Sequence, residues 1–127
     1  MKKFLWVLCA LMMTLAVLFV YSGFGRRTDV YVAEAVPSAD DKTLTLHTGI
    51  WSSMGYTRAV RTKQVGDTLQ CTFYTTFGGL NSKIGARNVF VVPVEGCSSI
   101  AFFRGDGQWD IVLQKDPATG EWERTRT

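Results

Sequence analysis

The sequence predicts an all-β domain, an antiparallel meander forming a small sandwich or barrel, preceded by one N-terminal transmembrane or signal helix. Three observations predict it. Residues 4–21, FLWVLCALMMTLAVLFVY, run without a charge. From residue 42 onward apolar residues recur with the strand period of two, and no stretch carries a sustained helical stripe. Between these segments, Gly, Pro and Asp stand where tight turns need them.

The apolar run meets the lower length limit for crossing a hydrocarbon core as a helix. Lys2 and Lys3 precede it, and Arg26 and Arg27 follow it. A secretory signal starts with the same basic residues but ends in a small-residue cleavage site. Here Tyr21 is followed by Ser22-Gly23-Phe24-Gly25, and the nearest Ala-x-Ala is Ala33-Glu34-Ala35, beyond the arginine pair. Residues 1–27 therefore read as an uncleaved signal or membrane anchor. The flanking cations tie at two on each side, and the free amino group tips the balance to an N-inside topology. The expected location is the cell membrane, single-pass, with the C-terminal domain outside; secretion after cleavage is the alternative. Cys9, within the run, reads as a small apolar residue.

The chain carries 14 Lys and Arg against 11 Asp and Glu, a net charge of +3. Four of those cations flank the apolar run, and beyond residue 35 ten basic residues face nine acidic ones. The domain is nearly neutral, which speaks against nucleic acid as a partner. Its one basic group, Arg58, Arg61 and Lys63, reads as the solvated face of a strand.

Residues 28–41 read as a linker in which Val30-Tyr31-Val32-Ala33 has the composition of a short strand, and 42–127 as the extracytoplasmic domain. Leu44, Leu46 and Thr48 alternate with Thr43, Thr45 and His47 in the first strand. Residues 55–65 form the next. Leu69, Cys71, Phe73, Thr75 and Phe77 share one face of a third. Residues 88–94 and 99–103 are richer in apolar side chains and read as more buried. Trp109, Ile111 and Leu113 share a face of the last long strand. Turns are expected at 65–68, at Gly105-Asp106-Gly107 and over 115–121. The expected core is Leu46, Leu69, Cys71, Phe73, Phe77, Val91, Phe102, Ile111 and Leu113. A hairpin of 69–77 with 88–94 is expected to set Phe77 opposite Asn88.

Cys71 and Cys97 in an exported domain invite a disulfide. In the expected meander they flank a shared middle strand about 9–10 Å apart, so a bridge requires the chain to bend at Gly96; two buried thiols are the other reading. His47 is the only histidine, on the polar face of its strand, and no metal site is expected. Ser52 or Ser53 with His47 and an aspartate makes a triad only on paper, because no nucleophile elbow surrounds the serines. No catalytic residue and no cofactor are assigned.

Segment 78–88 is long for a hairpin connection and offers Asn81, Lys83, Arg87 and Asn88 as donors for an anion or a peptide. Loop 49–56 adds Trp51 and Tyr56 as exposed aromatics. Arg104-Gly105-Asp106 spells an adhesion tripeptide at a turn that needs Gly and Asp in any case. The function these features imply is a binding module for an envelope component or protein partner, attached to the membrane through residues 4–21. An envelope hydrolase or its inhibitor, or a structural protein secreted after cleavage, are the alternatives.

Overall fold

The computed structural model describes residues 1–52, 55–78 and 81–125. Ser53, one of the two serines of the paper triad, lies outside them.

Helix α1 (Lys2–Ser22) is long and apolar enough to cross a membrane and buries none of its residues. At 1.5 Å per residue it spans about 31 Å, close to the thickness of a hydrocarbon core. Trp6 and Tyr21 are exposed near its two ends, as residues of interfacial aromatic belts are. The helix does not lead into a free linker. The Ser22 carbonyl accepts from Thr75 Oγ1 at 2.7 Å, Ser22 Oγ accepts from the Gly78 amide at 2.8 Å, and the Gly25 carbonyl accepts from the Thr75 amide at 2.9 Å. The Arg58 guanidinium donates to the Gly23 carbonyl and lies 4.2 Å from the Phe77 ring centroid. A cation at a helix C-terminus complements its dipole. Phe77 in turn stacks on Phe19, with centroids 6.0 Å apart. A Cβ at position 23 would clash with the Phe77 ring, so this approach requires glycine.

Among the described residues nine strands follow: β1 (Arg26–Arg27), β2 (Val30–Pro37), β3 (Thr43–Ile50), β4 (Thr57–Val65), β5 (Thr68–Thr75), β6 (Val89–Pro93), β7 (Ser99–Gly105), β8 (Gln108–Lys115) and β9 (Trp122–Arg124). The all-β expectation with an N-terminal helix holds. The strands make two sheets, one of order β2-β3-β6 and one running β1-β5-β7-β8-β9 with β4 also on β5. One edge of β5 pairs with β4 over its whole length; the other is shared by β7 at residues 68–71 and β1 at 73–74. Leu44, Leu46, Phe90 and Val92 from the first sheet meet Leu69, Cys71, Phe73, Ile100, Phe102 and Leu113 from the second in one core.

The turns form where expected. Gly105 pairs with Gln108, and Asp106 and Gly107 between them both take positive φ, as a two-residue type I′ hairpin demands. Gly66 does the same between Val65 and Thr68.

The topology departs from a simple meander. Strand β5 pairs with β7 in parallel, and β6 belongs to the opposite sheet on β3. The 69–77/88–94 hairpin therefore does not form. Cys71 faces Thr62 and Phe102 across its two edges, and Phe77 bridges Ile84 instead of Asn88. The chain between β5 and β6 has to cross from one sheet to the other, which gives segment 78–88 a structural reason for its length. Residues 28–41 are more than a linker: Val30–Pro37 is a full strand on β3, with Val30 and Val32 in the core.

Three expected core residues lie elsewhere. Both faces of 88–94 are apolar, so alternation cannot choose between them. Pairing of Phe90 with Leu46 and Val92 with Leu44 turns Phe90 and Val92 inward and leaves Val91 61% exposed. On β8 a register shift pairs Ile100 with Leu113 but Ala101 with Ile111. That bulge swaps the faces, so Val112 packs on the core while Ile111 and Trp109 reach the surface. Trp109 then covers Phe103 edge-on at 5.5 Å. Phe77 is half-buried against α1, outside the core.

Candidate functional site

Among the described residues, two clefts on the β-domain stand out. The larger, about 390 Å³, lies between the end of β3 (Thr48, Gly49, Ile50), the start of β4 (Tyr56, Thr57) and residues 86–88. Loops 49–56 and 81–88, remote in sequence, are thereby brought together. The Gly55 amide donates to Asn81 Oδ1 at 2.7 Å. Buried Thr57 donates from Oγ1 to the Arg87 carbonyl at 2.6 Å and accepts the Arg87 amide at 2.8 Å. Buried Thr48 donates from both its amide (2.8 Å) and its hydroxyl (3.1 Å) to the Asn88 carbonyl. Buried Thr76 donates its hydroxyl to the Ser82 carbonyl. Three inward threonines thus take up backbone groups of Ser82, Arg87 and Asn88 in place of a strand ladder, while the side chains of Lys83, Arg87 and Asn88 stay exposed.

Of the residues singled out from sequence, Tyr56, Arg87 and Asn88 line this cleft, and Arg87 sits 5.8 Å from the Phe90 ring centroid. The Lys83 ammonium lies 5.8 Å from the Tyr56 ring centroid. Asn81 has a structural task, joining the two loops. Among the described residues no carboxylate lines the cleft, and Arg87 with Lys83 nearby gives it positive charge.

Trp51 is not part of it. It stacks on Tyr31 at 5.5 Å and stands beside a second cleft of about 260 Å³ with Arg104, Asp110 and Arg124. Arg104 holds this region together. Its guanidinium donates to the Val30 (2.7 Å) and Thr28 (3.0 Å) carbonyls, pairs with Asp110 at 3.3 Å and lies 5.2 Å from the Trp51 ring centroid. The arginine of the Arg104-Gly105-Asp106 tripeptide is therefore pinned inward and is not displayed as an adhesion motif is. Sequence reasoning missed the buried threonines and the part played by Arg104: Thr48, Thr57 and Arg104 reach backbone partners 30 or more residues away, and nothing near Thr76 marks its bond to Ser82.

His47 is half-buried on β3, paired with Glu34 and Val89 across its two edges, and lines neither cleft. Among the described residues, no group of three or more His, Cys, Asp and Glu side chains is placed to hold a metal ion. Cys71 and Cys97 are both buried as free thiols. Burial, and secondarily the neighbouring Cys97, pushes the Cys71 thiol up to about 12 from 9.0. Burial and Asp67 raise Cys97 as well. Neither is an activated thiolate.

This shift has a sign for stability. The folded state keeps the Cys71 proton up to about pH 12, whereas the unfolded chain releases it from about pH 9. The contribution is complete below pH 9 and is lost as pH rises through the folded value. Urea melts of the wild type and Cys71→Val at a series of alkaline pH values should show a shallower decline in the variant. Parallel declines would disprove the assignment.

Comparisons with family models, with curated proteins and with solved structures found no match to this chain.

Proposed function

We propose that the protein is a membrane-anchored extracytoplasmic binding module. Helix α1 is retained as a single-pass anchor, the β-domain stands on the outer side, and the cleft between loops 49–56 and 81–88 takes an envelope component or a protein partner. The observation that carries this reading is the cleft itself. Two loops about 30 residues apart are stapled to one another around it, with a phenol, an amide and a guanidinium on its walls and no carboxylate among the described lining residues. Such a lining suits a ligand that presents hydrogen-bond acceptors or negative charge. The hydrolase alternative asks for a serine, a histidine and a carboxylate in one pocket; neither cleft combines them among its lining residues. Retention of α1 is supported by the Ser22, Gly23 and Gly25 carbonyls, which serve the domain's own strands.

Replacing Lys83 and Arg87 together by Ala should weaken capture of the partner from solubilised membranes. The melting temperature should shift little, because both side chains are exposed and the loop is held through backbone groups. A large fall in melting temperature with undiminished capture by the folded fraction would reduce the loop to a structural plug.

A further inference from the structure

The connection between α1 and the domain is short, and groups at the helix end bond directly to β4, β5 and the Gly78 amide. Phe19 lies one turn before the end of the helix, at the depth of the acyl boundary if α1 spans the membrane, and it stacks directly on Phe77 of the domain. Phe77 bridges Ile84, which is 54% exposed. On another side, Phe24 lies past the helix end, yet it lines an apolar hollow with Val17, Val20 and Tyr21, so its ring folds back along the last helical turns. It is 61% exposed. Phe24 and Ile84 are exposed near the helix exit; exposed Arg26, two residues after Phe24, lies 4.8 Å from the Phe103 ring centroid, and exposed Lys83, next to Ile84, lies 5.8 Å from that of Tyr56.

We propose that this underside, formed by Phe24, Arg26, Lys83 and Ile84, is a second membrane-contact surface. It seats the domain on the outer leaflet with Phe24 and Ile84 at the headgroup–acyl boundary and the two cations on anionic lipid phosphates. Apolar side chains flanked by cations are the pattern by which amphipathic segments lie in the interface. Each cation near an anionic leaflet contributes about 1 kcal/mol, roughly fivefold in the seated population. The cleft beside loop 81–88 then opens close to the membrane surface, so its ligand would be met there. The inference rests on the anchor reading and goes beyond it.

The test uses the full chain in nanodiscs, with Cys9→Ala to remove the exposed native thiol. A fluorophore is placed at Ile84→Cys, at Leu11→Cys in mid-helix, or at Val65→Cys on the β4–β5 hairpin. That hairpin lies at the end of β5 opposite Thr75. Lipids carrying a nitroxide at a shallow or a deep acyl position act as quenchers. Position 11 should be quenched by the deep probe, 84 by the shallow probe and 65 by neither. Adding phosphatidylglycerol to phosphatidylcholine should raise quenching at 84. Combining Arg26→Glu with Lys83→Glu should remove that gain, which tests anionic lipid against apolar seating alone. Deep quenching at 11 with position 84 as dark to both probes as 65 would overturn the seated surface and leave the anchor intact. Absence of quenching at 11 would overturn both. A label at Phe24→Cys should follow 84, and a Phe24 label unquenched by the shallow probe would also count against the proposal.

Discussion

Phe73→Ala is expected to lower the stability of the domain by about 3–5 kcal/mol, the range for emptying a buried aromatic site. Phe73 is 1% exposed and belongs to neither sheet alone in its contacts. Its ring meets Phe102 of its own sheet at 4.7 Å and Phe90 of the facing sheet at 5.3 Å, both edge-on. Edge-on aromatic pairs add to the value of the area they bury. Truncation would therefore leave a cavity at the seam of the sandwich. Rigid strands on both sides, tied by their ladders, can close it only in part. Val91→Ala is the companion measurement. It lies one residue from Phe90 on the same strand but faces solvent, and should change stability by no more than about 0.5 kcal/mol. Denaturant melts of Val91→Ala test which face of β6 turns inward: a loss as large as that of Phe73→Ala would mean that the Val91 face of β6 is covered too, and a Phe73→Ala cost below about 1 kcal/mol would place the core elsewhere.

A chain starting at Val36, the product of cleavage after Ala35, is expected not to fold, whereas a chain starting at Arg26 should. Strand β2 pairs with β3 from Val30 to Pro37, and Val30 and Val32 are core residues at 1% and 4% exposure. Losing two buried valines removes about 1.5–3 kcal/mol each. The ladder to β3 goes with them, and β3 is left as an open edge. Arg104 also loses the Val30 carbonyl, its shortest hydrogen-bond partner. Against a typical total of about 5–15 kcal/mol, this is most or all of the stability. Chemical-shift dispersion and a cooperative thermal transition for 26–127, with neither for 36–127, is the expected pair of results. A cooperative transition of unchanged midpoint in 36–127 would show that β2 is dispensable. The same comparison bears on secretion by cleavage at Ala35, which would discard a strand the domain needs.

The long loop shows where inference from sequence stops. Its length and its donors Asn81, Lys83, Arg87 and Asn88 are legible in the sequence. The crossing from β5 to β6 on the facing sheet accounts for the length without any ligand. The side chains tell more than the length does: Asn81 is consumed in joining loop 49–56, while Arg87 and Asn88 line the cleft. Trp51 and Tyr56, neighbours in sequence, end in different clefts, because Trp51 follows β3 toward Tyr31 and Tyr56 precedes β4.

Local chemistry alone determined the apolar helix, the strands, and the hairpin turns at Gly66 and at Asp106-Gly107. Each depends on residues within a few positions of one another: an uncharged run, a period of two, a residue able to take positive φ. The inward face was legible wherever only one face is apolar, as for Leu44 and Leu46 or Leu69, Cys71 and Phe73. Only the tertiary structure decided which strands pair, which face of 88–94 turns inward, and where the bulge in β8 exchanges Ile111 for Val112. In each of these the local pattern admits two solutions of similar quality, and the choice is made by partners far along the chain. The docking of α1 on Thr75 and Phe77 is of the same kind. Nothing near Ser22 or Gly23 announces it, because the groups that hold the helix end arrive from β4, β5 and the segment that follows β5.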